Sequence, residues 1–130
     1  MLAIDASADV DLCLSPNGFD ELAGEDLIAP QLIRSESLSA LHEMRWRGEI
    51  PGEMAELGLA RRREMPVRIE APVDLGEDAW RIAEEFGWAK TYDAEYVALA
   101  RMLECRLVTT DVKLRNGADR LGFVVTPAEL

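Results

Sequence analysis

Five short apolar runs, each separated from the next by a segment of helical or turn character, constrain this chain more than any other feature. The runs are "MLAID" (1–5), "DLIAP" (26–30), "VRIEAP" (67–72), "RLVTT" (106–110) and "GFVVT" (122–126). Each has the length of one strand and is too short for an ordinary helix. Strands that alternate with helices predict an α/β fold with a parallel sheet of about four to five strands, covered by helices. Parallel strands bring their carboxyl ends to one edge, where open α/β sheets place their sites.

The segments between the runs carry the helical signals. A short helix is expected around 7–13, and a further turn around 19–23 after Pro16-Asn17-Gly18. From Gln31 to Arg47 the residues Ile33, Ala40, Leu41 and Met44 fall on one side. Gly48 ends that helix, and Pro51-Gly52 separates it from another over 53–64, so the two predict an αα-hairpin. Residues 76–87 form a short amphipathic helix closed by Gly87, with Trp80 expected in the core. Residues 91–105 have little polar surface in their middle and should be buried. A turn of helix, "DVKLRN" (111–116), joins the last two strands.

A length of 130 residues without repeats or linkers suits a single domain, 1–130. Hydrophobic residues make up 48%, which excludes a disordered chain. No apolar run nears the roughly 20 residues of a membrane span, and the start lacks a basic signal-peptide region. The expectation is a cytoplasmic protein with Cys13 and Cys105 as reduced thiols. No Cys/His cluster has zinc spacing, and the lone histidine, His42, reads as a surface or helix-packing residue. The formal net charge of −11 argues against broad nonspecific nucleic-acid binding. It leaves room for a local basic groove, and it suits a carboxylate site for a divalent cation or a basic partner.

Four acids stand out. Asp5 and Asp111 end apolar runs, Asp93 opens the buried helix, and Glu36 sits at the flank of the apolar stripe of its helix. Each alone has an ordinary explanation. Asp5 and Asp111 suit a cap or turn, Asp93 suits the helix dipole with Thr91 as N-cap, and Glu36 suits a solvated face. Together they could gather at one sheet edge. Carboxylates gathered there repel and raise one another's pKa unless a cation neutralises them, and Mg²⁺ or Mn²⁺ suits such an all-oxygen site.

The order "IDAS" (4–7), "APQLIRSE" (29–36), "TYDAEYVALA" (91–100) and "LVTTDVKLRN" (107–116) resembles the PIN-domain ribonucleases, most of all the VapC-type toxins of VapBC toxin–antitoxin pairs. The resemblance runs in order over nearly the whole chain. It implies a three-layer α/β/α sandwich and one or two Mg²⁺ or Mn²⁺ ions. Its acids fall on Asp5, Glu36, Asp93 and Asp111, as metal ligands and catalytic residues. Ser7 matches its small hydroxyl residue, Thr109 its threonine two before the last acid, and Asn116 a downstream polar position. The activity implied is RNA phosphodiester cleavage by metal-activated water, with Ser7 and Thr109 orienting carboxylates.

The resemblance also implies partners: an RNA substrate, a cognate antitoxin whose C-terminal segment crosses the cleft, and a second copy in a two-fold dimer near the helix that starts at Thr91. An antitoxin arginine could pair with the carboxylates, while Leu38, Leu41, Trp46 and Leu57 of the hairpin offer surface for the rest of its tail. The basic clusters "RWR" (45–47) and "RRR" (61–63), with Lys113 and Arg115, read either as a solvated face or as a phosphate-contacting rim. Trp46, Trp80 and Trp88 are candidates for base stacking or interfaces. Two other readings compete. One is a catalytically weak PIN-like binding module holding a structural cation or basic peptide. The other is a phosphotransfer domain of receiver or haloacid-dehalogenase type, which lacks its second aspartate because Ser7 stands two residues after Asp5.

Overall fold

The computed structural model describes residues 1–130. Its strands are β1 (Leu2–Ile4), β2 (Leu27–Ala29), β3 (Val67–Ile69), β4 (Arg106–Val108) and β5 (Val124–Val125). They form one sheet in the order β3-β2-β1-β4-β5, with every pair parallel. Ile4 lies opposite Val108, so β1 and β4 end level with each other. The strands stop short of the apolar runs for local reasons. Pro30 has no amide to continue β2. The Thr110 amide donates to the Ser7 hydroxyl instead of the ladder.

The strand order dictates the layers. The chain steps outward from β1 through β2 to β3, then returns across β1 to β4. Right-handed crossovers therefore put α1 (Ala6–Leu14), α2 (Leu32–Trp46) and α3 (Gly52–Arg63) on one face of the sheet. The same rule puts α4 (Leu75–Phe86), α5 (Tyr92–Met102) and α6 (Val112–Gly117) on the other. Packing agrees: α1 touches α2 and α3, α4 pairs with α5, and α5 lies against β1 and β4. The result is a three-layer α/β/α sandwich with a parallel sheet. The reversal between β1 and β4 opens a crevice at their carboxyl ends, the switch point where such sheets bind ligands.

The sheet contributes Leu2, Ile4, Ile28, Leu107 and Val108 to the core, and the helices contribute Ile33, Ile82, Val97 and Leu99. Each such side chain is worth about 1.5–3 kcal/mol when fully buried. Ala94, Ala98 and Ala100 are small enough to let α5 lie close against the sheet, and all are buried. Gly58 likewise lets α3 lie close against α1 and α2. A Cβ there would stand 3.0 Å from the Leu14 side chain and 3.3 Å from that of Leu41.

One placement departs from expectation, and one buried acid is new. Trp80 is 64% exposed, not core. The buried stripe of α4 is Leu75, Ala79, Ile82 and Ala83, and one step past Ala79 turns Trp80 by about 100° to its edge. Asp9, on α1, is fully buried beneath α2 and α3. Burial pushes its carboxyl up, while Ser37 and Arg62 act in the opposite sense.

Candidate active site

Asp5 follows β1 directly and caps α1. Its Oδ1 accepts from the Ala8 amide at 2.9 Å and from the Ser7 hydroxyl at 2.7 Å. Its Oδ2 accepts from the Thr109 hydroxyl at 2.5 Å. Ser7 and Thr109 each own one hydroxyl proton, and both protons go to Asp5. Their oxygens then serve as acceptors: Ser7 takes the Thr110 amide and Thr109 takes the Asp111 amide, each at 3.0 Å. This mesh ties the end of β1 to the end of β4. It fixes the Asp5 carboxylate in one orientation and leaves one lone pair of Oδ2 without a protein donor. Burial pushes the Asp5 carboxyl up, against the lowering effect of these bonds.

Asp111 caps α6, its Oδ1 accepting from the amides of Lys113 at 2.9 Å and Leu114 at 3.3 Å. Its second oxygen remains available. Capping and a site role are thus compatible for Asp5 and Asp111, because a carboxylate has more lone pairs than a cap uses. Glu36 projects from α2 and is half-buried. Its Oε1 accepts from the Tyr96 hydroxyl at 2.7 Å, which joins α2 to α5 across the end of the sheet. Tyr96 is 1% exposed. Burial and then the Glu36 bond push its phenol far above the ordinary range, so it stays a donor.

Asp93 stands in the first turn of α5. Thr91 makes no side-chain cap bond there, so its capping role is not observed. Asp93 reaches solvent through the cleft mouth, yet the walls strip enough water to make desolvation the largest effect on its carboxyl. The charges of Asp111, Asp5 and Glu36 act in the same direction, and together they raise it from 3.8 to about 6. Four carboxylates from β1, α2, α5 and the end of β4 therefore feel one another across one space.

That space is a cavity of about 340 Å³ lined by all four acids, with Ser7, Ser39 and Glu43. The donor set fits a hard divalent cation, since every group is an oxygen and carboxylates dominate. No three carboxylate, histidine or cysteine side chains already form a closed metal cluster. Asp93 is exposed and makes no side-chain hydrogen bond that would hold it, whereas Asp5 and, through its cap bonds, Asp111 are fixed.

Asn116 is exposed on α6 and takes no part in the hydrogen bonds around the carboxylates. Arg61 donates to the carbonyls of Cys13 and Ser15, and Arg62 to that of Arg34, so these two clamp helices together. Lys113 does line the cleft. Sequence reasoning missed Tyr96 and Glu43. Spacing held a signal for both, because Tyr96 is one turn past Asp93 and Glu43 two turns past Glu36.

A five-stranded parallel sheet in this order, sandwiched by helices, is a PIN-like fold. The chain belongs to the VapC ribonuclease family. It is 35% identical over 129 residues to the VapC ribonuclease Mb0985 of Mycobacterium bovis, covering 98% of this chain and 99% of that protein. The ribonuclease VapC9 of Mycobacterium tuberculosis matches to the same extent. Among solved structures, PAE2754 from Pyrobaculum aerophilum superposes with a TM-score of 0.75 at 24% identity, over 98% of this chain and 90% of that one. No family model matches the sequence.

Proposed function

We propose that the chain is a Mg²⁺- or Mn²⁺-dependent endoribonuclease, the toxin of a VapBC toxin–antitoxin pair. The observation that carries this reading is the convergence of Asp5, Glu36, Asp93 and Asp111 on one cleft at the β1/β4 switch point. The ribonuclease names of its relatives support it. These four acids would hold the cation, Asp5 and the cap-held Asp111 as fixed points and Asp93 as the movable one. When bound, a divalent cation polarises a phosphate and acidifies a coordinated water. Ser7 and Thr109 keep the Asp5 lone pair aimed into the cleft. Tyr96 holds Glu36 over it. Burial and the neighbouring charges raise the Asp93 carboxyl to about 6, so its protonation as pH falls through that value would weaken cation binding.

The antitoxin belongs to the same reading. An acid-lined cleft suits an inserted arginine. The groove between α2 and α3, about 290 Å³, is lined by Leu38, Leu41, His42, Ala55 and Leu59 among others. Trp46 and Leu57 stand exposed on the same hairpin, and such a surface suits an amphipathic tail. A second copy would find apolar area at Val73 and Trp80. No helix is long and apolar enough to cross a membrane.

The test is cleavage of a labelled single-stranded RNA by the purified chain after chelation and after adding back Mg²⁺ or Mn²⁺. Cleavage that returns only with the cation supports the reading. Cation-loaded protein that binds RNA or antitoxin but never cleaves would leave a binding module instead.

A further inference from the structure

The chain contains only two lysines, Lys90 and Lys113, and both line one cavity of about 550 Å³ next to the acids. Trp88 and Tyr92 line it too, and three of the four acids, Glu36, Asp93 and Asp111, form the wall it shares with the acidic cavity. Neither lysine has a carboxylate within 4.0 Å, whereas Arg68, Arg115 and Arg120 are all paired elsewhere. In a chain of net charge −11, these are two unpaired cations set directly beside the three carboxylates Glu36, Asp93 and Asp111. Trp88 is half-buried and stacks on Phe86 with ring centroids 5.0 Å apart. The Arg120 guanidinium covers Phe86 at 4.1 Å. The indole is thus the outer layer of a prebuilt stack, while Tyr92 is 50% exposed at the mouth.

The opposite flank of the acids differs. There a cavity sharing Ser7, Ala40 and Glu43 is lined by Asp11, Glu43 and Glu49, and its one cation, Arg47, lies 3.9 Å from Glu43. Phosphate would be repelled on that flank.

Building on the ribonuclease reading, we propose that the RNA strand is gripped on one side only. Its phosphates lie on Lys90 and Lys113 and a base stacks on the Trp88–Tyr92 platform, with no anchor beyond the acids on the Glu43–Glu49 side. Cationic head groups supply affinity and register, and aromatic faces accept a base of any identity. A strongly acidic protein can bind RNA in this way because its only unpaired lysines stand next to the reaction centre.

The test measures binding of a short fluorescein-labelled single-stranded RNA by anisotropy at several salt concentrations, in the Asp93→Asn background so that the probe stays intact. Neutralising both lysines (Lys90→Gln with Lys113→Gln) removes two phosphate contacts, so the log–log salt slope should shrink by about 1.4. Tyr92→Ala should weaken binding about tenfold or more with the slope unchanged. Arg47→Gln, on the acidic flank, should alter neither. In the Asp93-intact enzyme the lysine and tyrosine variants should raise KM with little change in kcat. All these side chains are surface-exposed, and unchanged circular dichroism checks the fold. A slope unaffected by the lysine variants, an equal loss from Arg47→Gln, or no RNA binding by any form overturns the one-sided grip. So does polyglutamate competing as well as RNA, which would make the arm a general anion site. The two readings fail separately. Cleavage with unaltered KM in the variants sinks the grip alone, and the stated binding changes in a chain that never cleaves sink the ribonuclease alone.

Discussion

Replacing Asp93 by asparagine should make the cation-free protein more stable while destroying its function. The carboxyl sits at about 6 instead of 3.8, through desolvation and then the charges of Asp111, Asp5 and Glu36. A rise of that size corresponds to about 3 kcal/mol against the ionised form above pH 6, each tenfold in proton affinity being worth about 1.4 kcal/mol. Asp93 is exposed at the mouth, so solvent screening reduces this to roughly 1 kcal/mol. The folded value lies above the unfolded one. The contribution to stability is therefore greatest below about pH 4 and is lost as pH rises through about 6. The neutral amide of the variant carries no such penalty. At pH 7.5 in chelator, Asp93→Asn should melt higher by about 3–5 °C, and the difference should vanish near pH 4. Asp5 and Asp9 are also raised, so the wild-type curve alone mixes several groups. The difference between wild type and variant isolates Asp93. A Mg²⁺ concentration that saturates the wild type should stabilise it by at least about 1 kcal/mol more than the variant. A variant that melts lower than wild type at pH 7.5, or a difference that persists unchanged at pH 4, would refute the reasoning.

Tyr96→Phe removes the phenol that holds Glu36 while keeping the packing. It should cost about 1 kcal/mol in a denaturant melt and about tenfold in RNA cleavage rate, the usual effect of losing a ligand-orienting bond. Thr109→Val leaves Asp5 short of a donor and the Asp111 amide short of an acceptor. It should destabilise by about 1–3 kcal/mol in the same melt and abolish cleavage, whereas Thr109→Ser should restore most of both. Trp46→Ala with Leu57→Ala should weaken binding of the cognate antitoxin at least about tenfold by calorimetry, because buried aromatic anchors carry interface energy, while leaving RNA cleavage intact.

The parts of the site that could be read from the sequence are those set by local rules. Asp5 and Asp111 were legible because an apolar run that ends in an acid and continues as a helix has one geometry, a strand end that caps a helix. Both do cap their helices, and each keeps a carboxylate oxygen that the cap does not use. Glu36 was legible as the polar flank of an amphipathic helix, and Asp93 as the first turn of a buried one. What the sequence hid depends on how distant elements meet. Tyr96 reaches Glu36 across 60 positions, and no periodicity sets the distance between α2 and α5. Lys90 and Lys113 share a cavity because α6 follows the switch strand β4 on the face that carries α5, which only the strand order reveals. Trp80 looked internal because its helix is strongly amphipathic, but a stripe edge can face either way until a partner element covers it. Asn116 rested on family resemblance alone, and its helix turns it outward.

Every role assigned to these side chains depends on whether the four carboxylates act as one cation site. Mn²⁺ titration of the chelator-stripped protein by calorimetry tests it without any substrate. Saturable binding should weaken at least about tenfold in each of Asp5→Asn, Glu36→Gln, Asp93→Asn and Asp111→Asn. In the wild type it should also weaken as pH falls through about 6, where Asp93 takes up its proton. Mn²⁺ affinity unchanged by all four substitutions, or no saturable binding to the wild type at pH 7.5, would contradict it.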